Sequence, residues 1–165
     1  MQTDLAIDGE LRFITLGGSV DYGPWWLQAE WGRFATETKI YATMESAYVS
    51  AAYRINEFQP YITLSQAKSQ QAHYQAPPPP RLPPRLTGAA NALAAGVNTA
   101  LNGLYTDQKT LSLGLRWDFR PRMALKFQYD YIQAADGGKG LWDGGNAKPG
   151  ALDANIFSLS LDGLF

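Results

Sequence analysis

Hydrophobic and polar residues alternate one by one along several stretches of the chain, which is the pattern of β-strands whose two faces meet different surroundings. The clearest stretch is residues 110–119 (TLSLGLRWDF), in which every second residue is Leu, Trp or Phe. After a tight connection at residues 120–122, residues 123–132 (MALKFQYDYI) alternate in the same way. The sequence therefore predicts a β-hairpin with one apolar and one polar face.

The two faces also predict how the strands of this hairpin pair. If Leu115 stands opposite Phe127 and Arg116 stands opposite Lys126, the apolar residues of both strands share one face and the polar residues share the other.

The same alternation predicts five further strands, at residues 13–22, 25–33, 47–54, 60–67 and 155–165. The resulting seven strands have about eight to eleven residues each, which is the length that a tilted strand needs to cross a bilayer.

The connections between the predicted strands alternate between short and long. Short turns are expected at residues 23–24, 56–57 and 120–122, and long connections at residues 36–44, 69–107 and 133–153. Short turns at one rim and long loops at the other are typical of transmembrane β-barrels.

The longest connection contains an insertion at residues 77–106 that we expect to be an extracellular loop. Its first part, PPPPRLPPR at residues 77–85, predicts an extended polyproline segment, as a rigid spacer in preference to a ligand for SH3-type domains. Its second part, residues 87–105, predicts one weakly apolar helix that lies on the rim or folds into the lumen. The whole chain, residues 1–165, is then a single β-barrel segment.

The polar face carries charged and amide side chains among small and hydroxylated residues, as expected of a water-filled lumen. The predicted pore-lining residues are Glu30, Arg54, Arg116, Asp118, Lys126, Gln128, Asp130 and Asp162. Basic and acidic groups that line a channel create a field that sets ion preference. An alternative role for Arg116 is to be neutralised by Asp118 and to hold the wall together.

Aromatic residues, 13% of the chain, concentrate towards the ends of the predicted strands. Two girdles at membrane–water interfaces would explain this distribution. The short-turn rim would carry Tyr22, Trp25, Tyr53, Trp117 and Phe119, and the loop rim would carry Tyr129 and Tyr131.

Charge and composition remove several classes of function. With 14 basic and 15 acidic residues and no basic patch, nucleic acid is not an expected partner. The absence of cysteine excludes disulfides and thiolate chemistry, and no apolar run approaches the roughly 18 residues of a membrane helix.

The single histidine, His73, has no supporting cluster, and residues 136–143 match neither a P-loop nor an EF-hand. We therefore predict no catalytic residue, no metal site and no cofactor.

Three segments together resemble the C-terminal half of Gram-negative outer-membrane porins: GLRWDF-RPR-MALKFQYDY, YVSAAYRI followed by QPYITLSQAKS, and the terminal strand that ends in Phe165. The resemblance implies an all-β, antiparallel transmembrane β-barrel in contact with outer-membrane lipid. It also implies passive diffusion of small hydrophilic solutes or ions, and a homotrimer. Leu159, Leu161 and Phe165 are similar to the signal by which the barrel-assembly machinery recognises its clients.

Seven is an odd number of strands, whereas bacterial single-chain barrels have an even number. The strand that begins near Leu11 lacks a partner before it. We therefore expect the C-terminal part of a larger barrel of about 16 strands, with the upstream strands and the signal peptide absent from this chain. The alternatives are a complete eight-stranded barrel, a small non-conducting barrel that acts as an adhesin or structural anchor, and a soluble lipocalin-like binder.

Overall fold

The structure is a computed structural model that describes residues 10–36, 42–70, 76, 83–102, 105–134 and 152–164. It contains seven strands and one helix: β1 (Leu11–Tyr22), β2 (Trp25–Thr36), β3 (Met44–Tyr53), β4 (Phe58–Ser69), α1 (Pro84–Asn102), β5 (Asp107–Arg120), β6 (Met123–Ala134) and β7 (Leu152–Gly163). All seven strands form a single antiparallel sheet in chain order. The expected all-β fold with about seven strands is confirmed. Within the described residues β1 and β7 are the two edges, and the sheet is not closed into a barrel.

The predicted register of the central hairpin is also confirmed. Leu115 stands opposite Phe127 and Arg116 opposite Lys126. The pairing shifts between Trp117 and Arg120, where the strand bulges before the turn.

The three short turns lie at one end of the sheet, called here the short-turn end; the opposite end is the long-connection end. Backbone hydrogen bonds connect neighbouring elements there. The Arg54 amide donates to Pro24 O at 2.8 Å, which joins two turns, and the Asp118 amide of β5 donates to Glu57 O of the turn after β3 at 2.8 Å. Asn56 (φ 51°) and Arg122 (φ 67°) adopt the left-handed conformation that tight turns require. The alternation of short and long connections matches the prediction.

The two ends of the long connection between β4 and β5 are hydrogen-bonded to each other, at Ser69 and Thr106. The Ser69 amide donates to Thr106 O at 2.7 Å, and the Thr106 amide donates to Ser69 Oγ at 3.0 Å. Within the described part of this connection, no Cα atom of α1 comes within 8 Å of a strand. The hydrogen bonds between Ser69 and Thr106 therefore extend the pairing of β4 with β5 up to the start of the insertion, without a contribution from the helix.

The helix begins earlier than predicted, at Pro84 instead of residue 87, and ends at Asn102 instead of residue 105. The prediction that no helix would include the Pro-rich stretch is wrong for Pro84 and Arg85, because proline is well tolerated in the first turn of a helix. Residues 77–82, His73, residues 136–143 and Phe165 lie outside the described residues.

The two faces of the sheet keep their character across all seven strands. One row of paired residues on the apolar face consists of Val20, Leu27, Ala51, Ile62, Leu113, Tyr129 and Phe157. The adjacent row on the polar face consists of Ser19, Gln28, Ser50, Thr63, Ser112, Asp130 and Ile156. The alternation seen in sequence therefore produces two continuous surfaces, with Ile156 on the edge strand as an exception on the polar side.

The strands are staggered in one direction across the sheet. The apolar row begins at Val20, two residues from the short-turn end of β1, and finishes at Phe157, six residues from the short-turn end of β7. A consistent stagger of this kind tilts the strands relative to the rim.

Large apolar side chains on the apolar face are exposed. Phe157 is 81% and Leu16 is 74% exposed, whereas the only buried hydrophobic residues in the described ranges are Ala52, Ala124, Ile132 and Ala134. Water-soluble monomers rarely expose a contiguous apolar surface of this extent. No second layer covers this face within the described residues.

Candidate functional site

A hollow lies on the polar face, near the short-turn end. It has a volume of about 580 Å³, and residues from all seven strands line it. Because a single hollow reaches from Asp21 on β1 to Asp162 on β7, the sheet curves around its polar face. The charged side chains of the hollow are those of Asp21, Arg54, Arg116, Lys126 and Asp162.

The structure brings together most of the predicted pore-lining residues. Arg54, Arg116, Lys126, Gln128 and Asp162 line the hollow. Asp118 and Asp130 lie just outside it and hydrogen-bond to residues that line it, and Glu30 lies farther towards the long-connection end.

Arg116 is held by carboxylates of the wall itself. Its Nε donates to Asp118 Oδ1 at 2.9 Å, and its Nη2 lies 2.8 Å from the same oxygen. Its Nη1 lies 4.0 Å from Asp162 Oδ2 on β7. Of the two roles considered for Arg116, these contacts favour neutralisation within the wall.

Lys126 has a different environment, although it stands directly opposite Arg116. Within the described residues, no carboxylate oxygen lies within 4 Å of its ammonium group. The Lys126 Nζ lies instead 5.1 Å from the centroid of the Tyr61 ring, a distance at which a cation is attracted to an aromatic face.

Tyr61 extends from β4 across β5 to β6. Its partner on β5 is Gly114, and a Cβ at position 114 would overlap the Tyr61 ring. The Tyr61 hydroxyl donates to Gln128 Oε1 at 2.6 Å. Gln128 Nε2 in turn donates to Asp130 Oδ1 at 2.9 Å and to Oδ2 at 3.0 Å. These contacts form a polar chain across the middle of the face.

A second polar cluster surrounds Glu30 near the middle of β2 and β3. Thr15 Oγ1 donates to Glu30 Oε1 at 3.0 Å, and the Tyr48 hydroxyl donates to Glu30 Oε2 at 3.2 Å. Gln28 Nε2 donates to the same Tyr48 hydroxyl at 2.7 Å. The acidic Glu30 is thus separated along the strands from the basic residues of the hollow.

Four residues that line the hollow are not among the predicted pore-lining residues: Asp21, Trp26, Gln59 and Tyr61. The alternation along the strands could have indicated two of them, because it places the aromatic residues Trp26 and Tyr61 on the polar face. The contact between Tyr61 and Gly114 also depends on the register between β4 and β5, which are joined by a long connection that fixes no register.

Aromatic side chains on the apolar face line the short-turn end. Trp25 and Tyr53 lie with ring centroids 4.7 Å apart, Phe58 and Trp117 stack at 5.9 Å, and Trp117 and Phe119 lie 5.5 Å apart. Tyr22 continues this row, since it pairs with Trp25.

Towards the long-connection end, Tyr131 and Tyr129 form hydrogen bonds with polar side chains of β7 through their hydroxyl groups. The Tyr131 hydroxyl donates to Asp153 Oδ2 at 3.1 Å, and the Tyr129 hydroxyl donates to Asn155 Oδ1 at 2.6 Å. Tyr129 is the seventh of the 12 residues of β6, so its ring lies nearer the middle of the strand than that of Tyr131. Leu159 and Leu161 lie on the apolar face of β7 and are exposed.

Charged residues border the apolar face at the long-connection end. Counted along the apolar face from the aromatic residue at the short-turn end, the first charged residue lies eight positions away on three strands. The pairs are Trp25 and Arg33, Tyr53 and Glu45, and Trp117 and Lys109. Ion pairs reinforce this border, with Arg33 Nη1 3.6 Å from Glu45 Oε1 and Lys68 Nζ 3.6 Å from Asp107 Oδ2. On these three strands the apolar face therefore has the same length between its aromatic border and its charged border.

Three or more potential metal ligands do not cluster anywhere in the described part of the chain. Among the described residues there is no helix with the length and apolar character needed to span a membrane.

Comparison of the chain with protein-family models, curated proteins and solved structures finds no match in any of the three.

Proposed function

We propose that this sheet is part of the wall of a transmembrane β-barrel in the outer membrane of a Gram-negative bacterium, and that the barrel is a porin. In this proposal the apolar face contacts lipid, and the polar face lines a water-filled channel for passive diffusion of small hydrophilic solutes or ions. The observation that carries the proposal is the separation of one exposed apolar face from one curved polar face across all seven strands.

The width of the apolar band supports a membrane location. Eight residues of strand span about 26 Å, which a tilt of about 40° reduces to about 20 Å along the membrane normal. The apolar band of outer-membrane barrels is about 25 Å tall and carries aromatic residues at its borders. The row from Tyr22 to Phe119 at one border and Tyr131 at the other have this arrangement.

The edges and the stagger support a larger closed structure. β1 and β7 have 12 residues each and are the unpaired edges of the sheet in the described residues. Long unpaired edges beside an apolar surface favour aggregation, and closure into a barrel removes them. The stagger from Val20 to Phe157 has a constant sense, as closure requires. We propose that further strands complete the barrel, to about 16 in total.

The remaining expectations are part of the same proposal. The short turns face the periplasm and the long connections face the outside, the barrel-assembly machinery inserts the protein, and the protein assembles as a homotrimer in outer-membrane lipid. Within the polar face, small residues such as Ser50, Ala52 and Ser112 line the hollow and leave room for water.

Single-channel recording tests this function directly. The whole protein, purified in detergent and added to a planar bilayer, is expected to give stepwise increases in conductance. Stable insertion into vesicles without any conductance steps would contradict the channel and favour the alternative, a non-conducting barrel that acts as an adhesin or anchor. A protein that remains soluble without detergent would contradict the membrane location itself.

A further inference from the structure

Three cations and the two carboxylates of Asp21 and Asp162 line the hollow, but they are not paired one to one. Arg116 is neutralised by Asp118 and Asp162, whereas Lys126 has no carboxylate within 4 Å in the described residues. Like charges at directly opposed positions of a sheet are unfavourable. The Lys126 ammonium therefore lines the hollow beside the Tyr61 ring without a carboxylate partner in the described residues.

A second basic group lines the same hollow. Arg54 lies one residue beyond β3, where its backbone amide bonds Pro24 O at 2.8 Å, and the described residues place no carboxylate within 4 Å of its guanidinium. Gln59 on β4 stands opposite Arg116, so an uncharged amide also lines this basic part of the hollow.

An aromatic surface adjoins the Lys126 ammonium. The Tyr61 ring is fixed between Gly114 and Gln128, and Lys126 Nζ lies over it at 5.1 Å. A planar organic group can therefore contact a ring that is already held in place while its charged group meets the ammonium. Trp26 lines the hollow from β2.

We propose that the hollow is a binding subsite for small organic anions that carry a planar ring, such as aromatic carboxylates. The carboxylate binds between Lys126 and Arg54, and the ring packs against Tyr61. The proposal rests on the proposed function, since it names the class of solute that the channel would favour. A lone inorganic anion would use only the charged half of the subsite.

Calorimetric titration of the detergent-solubilised whole protein tests the subsite without requiring conductance. The probes are sodium benzoate and benzamide, its uncharged analogue of nearly equal size. Benzoate is expected to bind and benzamide to bind much more weakly, because the two differ in the charge that Lys126 recognises.

Matched lysine variants assign the binding to the hollow. Lys126→Gln is expected to weaken benzoate binding about fivefold, the effect of losing one partly exposed ion pair. Lys109→Gln, which removes a lysine from the apolar-face border of β5, is expected to leave binding unchanged. Equal binding of benzoate and benzamide, or unchanged benzoate affinity in Lys126→Gln, would overturn the subsite.

The outcomes separate this inference from the channel function. Benzoate binding that depends on Lys126 in a protein without conductance would support the subsite and contradict the channel. Conductance steps together with benzoate binding that does not depend on Lys126 would support the channel and overturn the subsite.

Discussion

The ring of Tyr61 on β4 occupies the space that a Cβ would need on Gly114, its partner on β5. This contact lets Tyr61 cross β5 and donate its hydroxyl hydrogen bond to Gln128 on β6 at 2.6 Å. Three strands are thereby joined on the polar face by one side chain.

The first prediction concerns this contact. Gly114→Ala is expected to displace Tyr61, break its bond to Gln128 and destabilise the folded protein by about 1–3 kcal/mol, the usual cost of overpacking. Thermal unfolding in detergent, followed by circular dichroism, measures the effect. The matched control is Gly18→Ala on β1, because a Cβ there meets no atom within 4 Å. Equal melting temperatures for the two variants would show that Tyr61 is free to move.

A second prediction compares two neighbouring residues of β7. Leu159 lies on the apolar face and Ser160 on the polar face, and both are exposed in the isolated sheet. If the apolar face contacts lipid, Leu159→Lys should cost up to about 2–4 kcal/mol of folding free energy in vesicles, and Ser160→Lys much less.

Urea titration of folding into lipid vesicles measures both variants of this pair. Similar, small costs for both lysines would indicate that the two faces meet water alike, against the proposed orientation.

The third prediction concerns ion selectivity. Charge reversal of Arg116 and Lys126 together replaces two cations of the hollow by two anions, next to Asp118 and Asp162. The reversal potential in a salt gradient should therefore shift towards cation preference. Lys109→Glu on the border of the apolar face provides the control and should leave the reversal potential nearly unchanged. If the double variant behaves like this control, the hollow does not lie on the conduction pathway.

The long connection provides a fourth prediction. Replacement of residues 71–104 by a short Gly-Ser linker retains the hydrogen bonds between Ser69 and Thr106 and removes α1. In the described residues no Cα atom of this helix comes within 8 Å of a strand. The melting temperature and the unit conductance are expected to remain close to those of the wild type. A marked rise in conductance would place the helix inside the channel, and a large loss of stability would show that it supports the sheet.

The sequence was sufficient to predict the faces and the local hairpins. The side-chain period of two assigns each residue to a face, and matching like faces across the connection at residues 120–122 gives the register of Leu115 against Phe127. The structure reaches this register with a two-residue turn and a shift in the pairing between Trp117 and Arg120. The same period identified the basic residues Arg116 and Lys126 before their surroundings were known.

The side-chain contacts of the site depend on register between strands that are distant in sequence, which the alternation of residues along one strand does not determine. The Tyr61–Gly114 contact requires the register between β4 and β5, and the contact of Arg116 with Asp162 requires the register between β6 and β7. Both pairs of strands are joined by long connections, which fix no register. The start of α1 differs from the prediction because the Pro-rich composition predicts an extended segment up to residue 85, whereas Pro84 occupies the first turn of the helix.

The most direct test of the account is cysteine accessibility along β6, since the chain has no cysteine of its own. Single cysteines at residues 125–130 of the protein in lipid vesicles are treated with a charged, membrane-impermeant methanethiosulfonate reagent. The account predicts that cysteines at Lys126, Gln128 and Asp130 react, and that cysteines at Leu125 and the other apolar-face positions do not. Reaction at all six positions, or at none, would contradict a sheet with one face in water and the other in lipid.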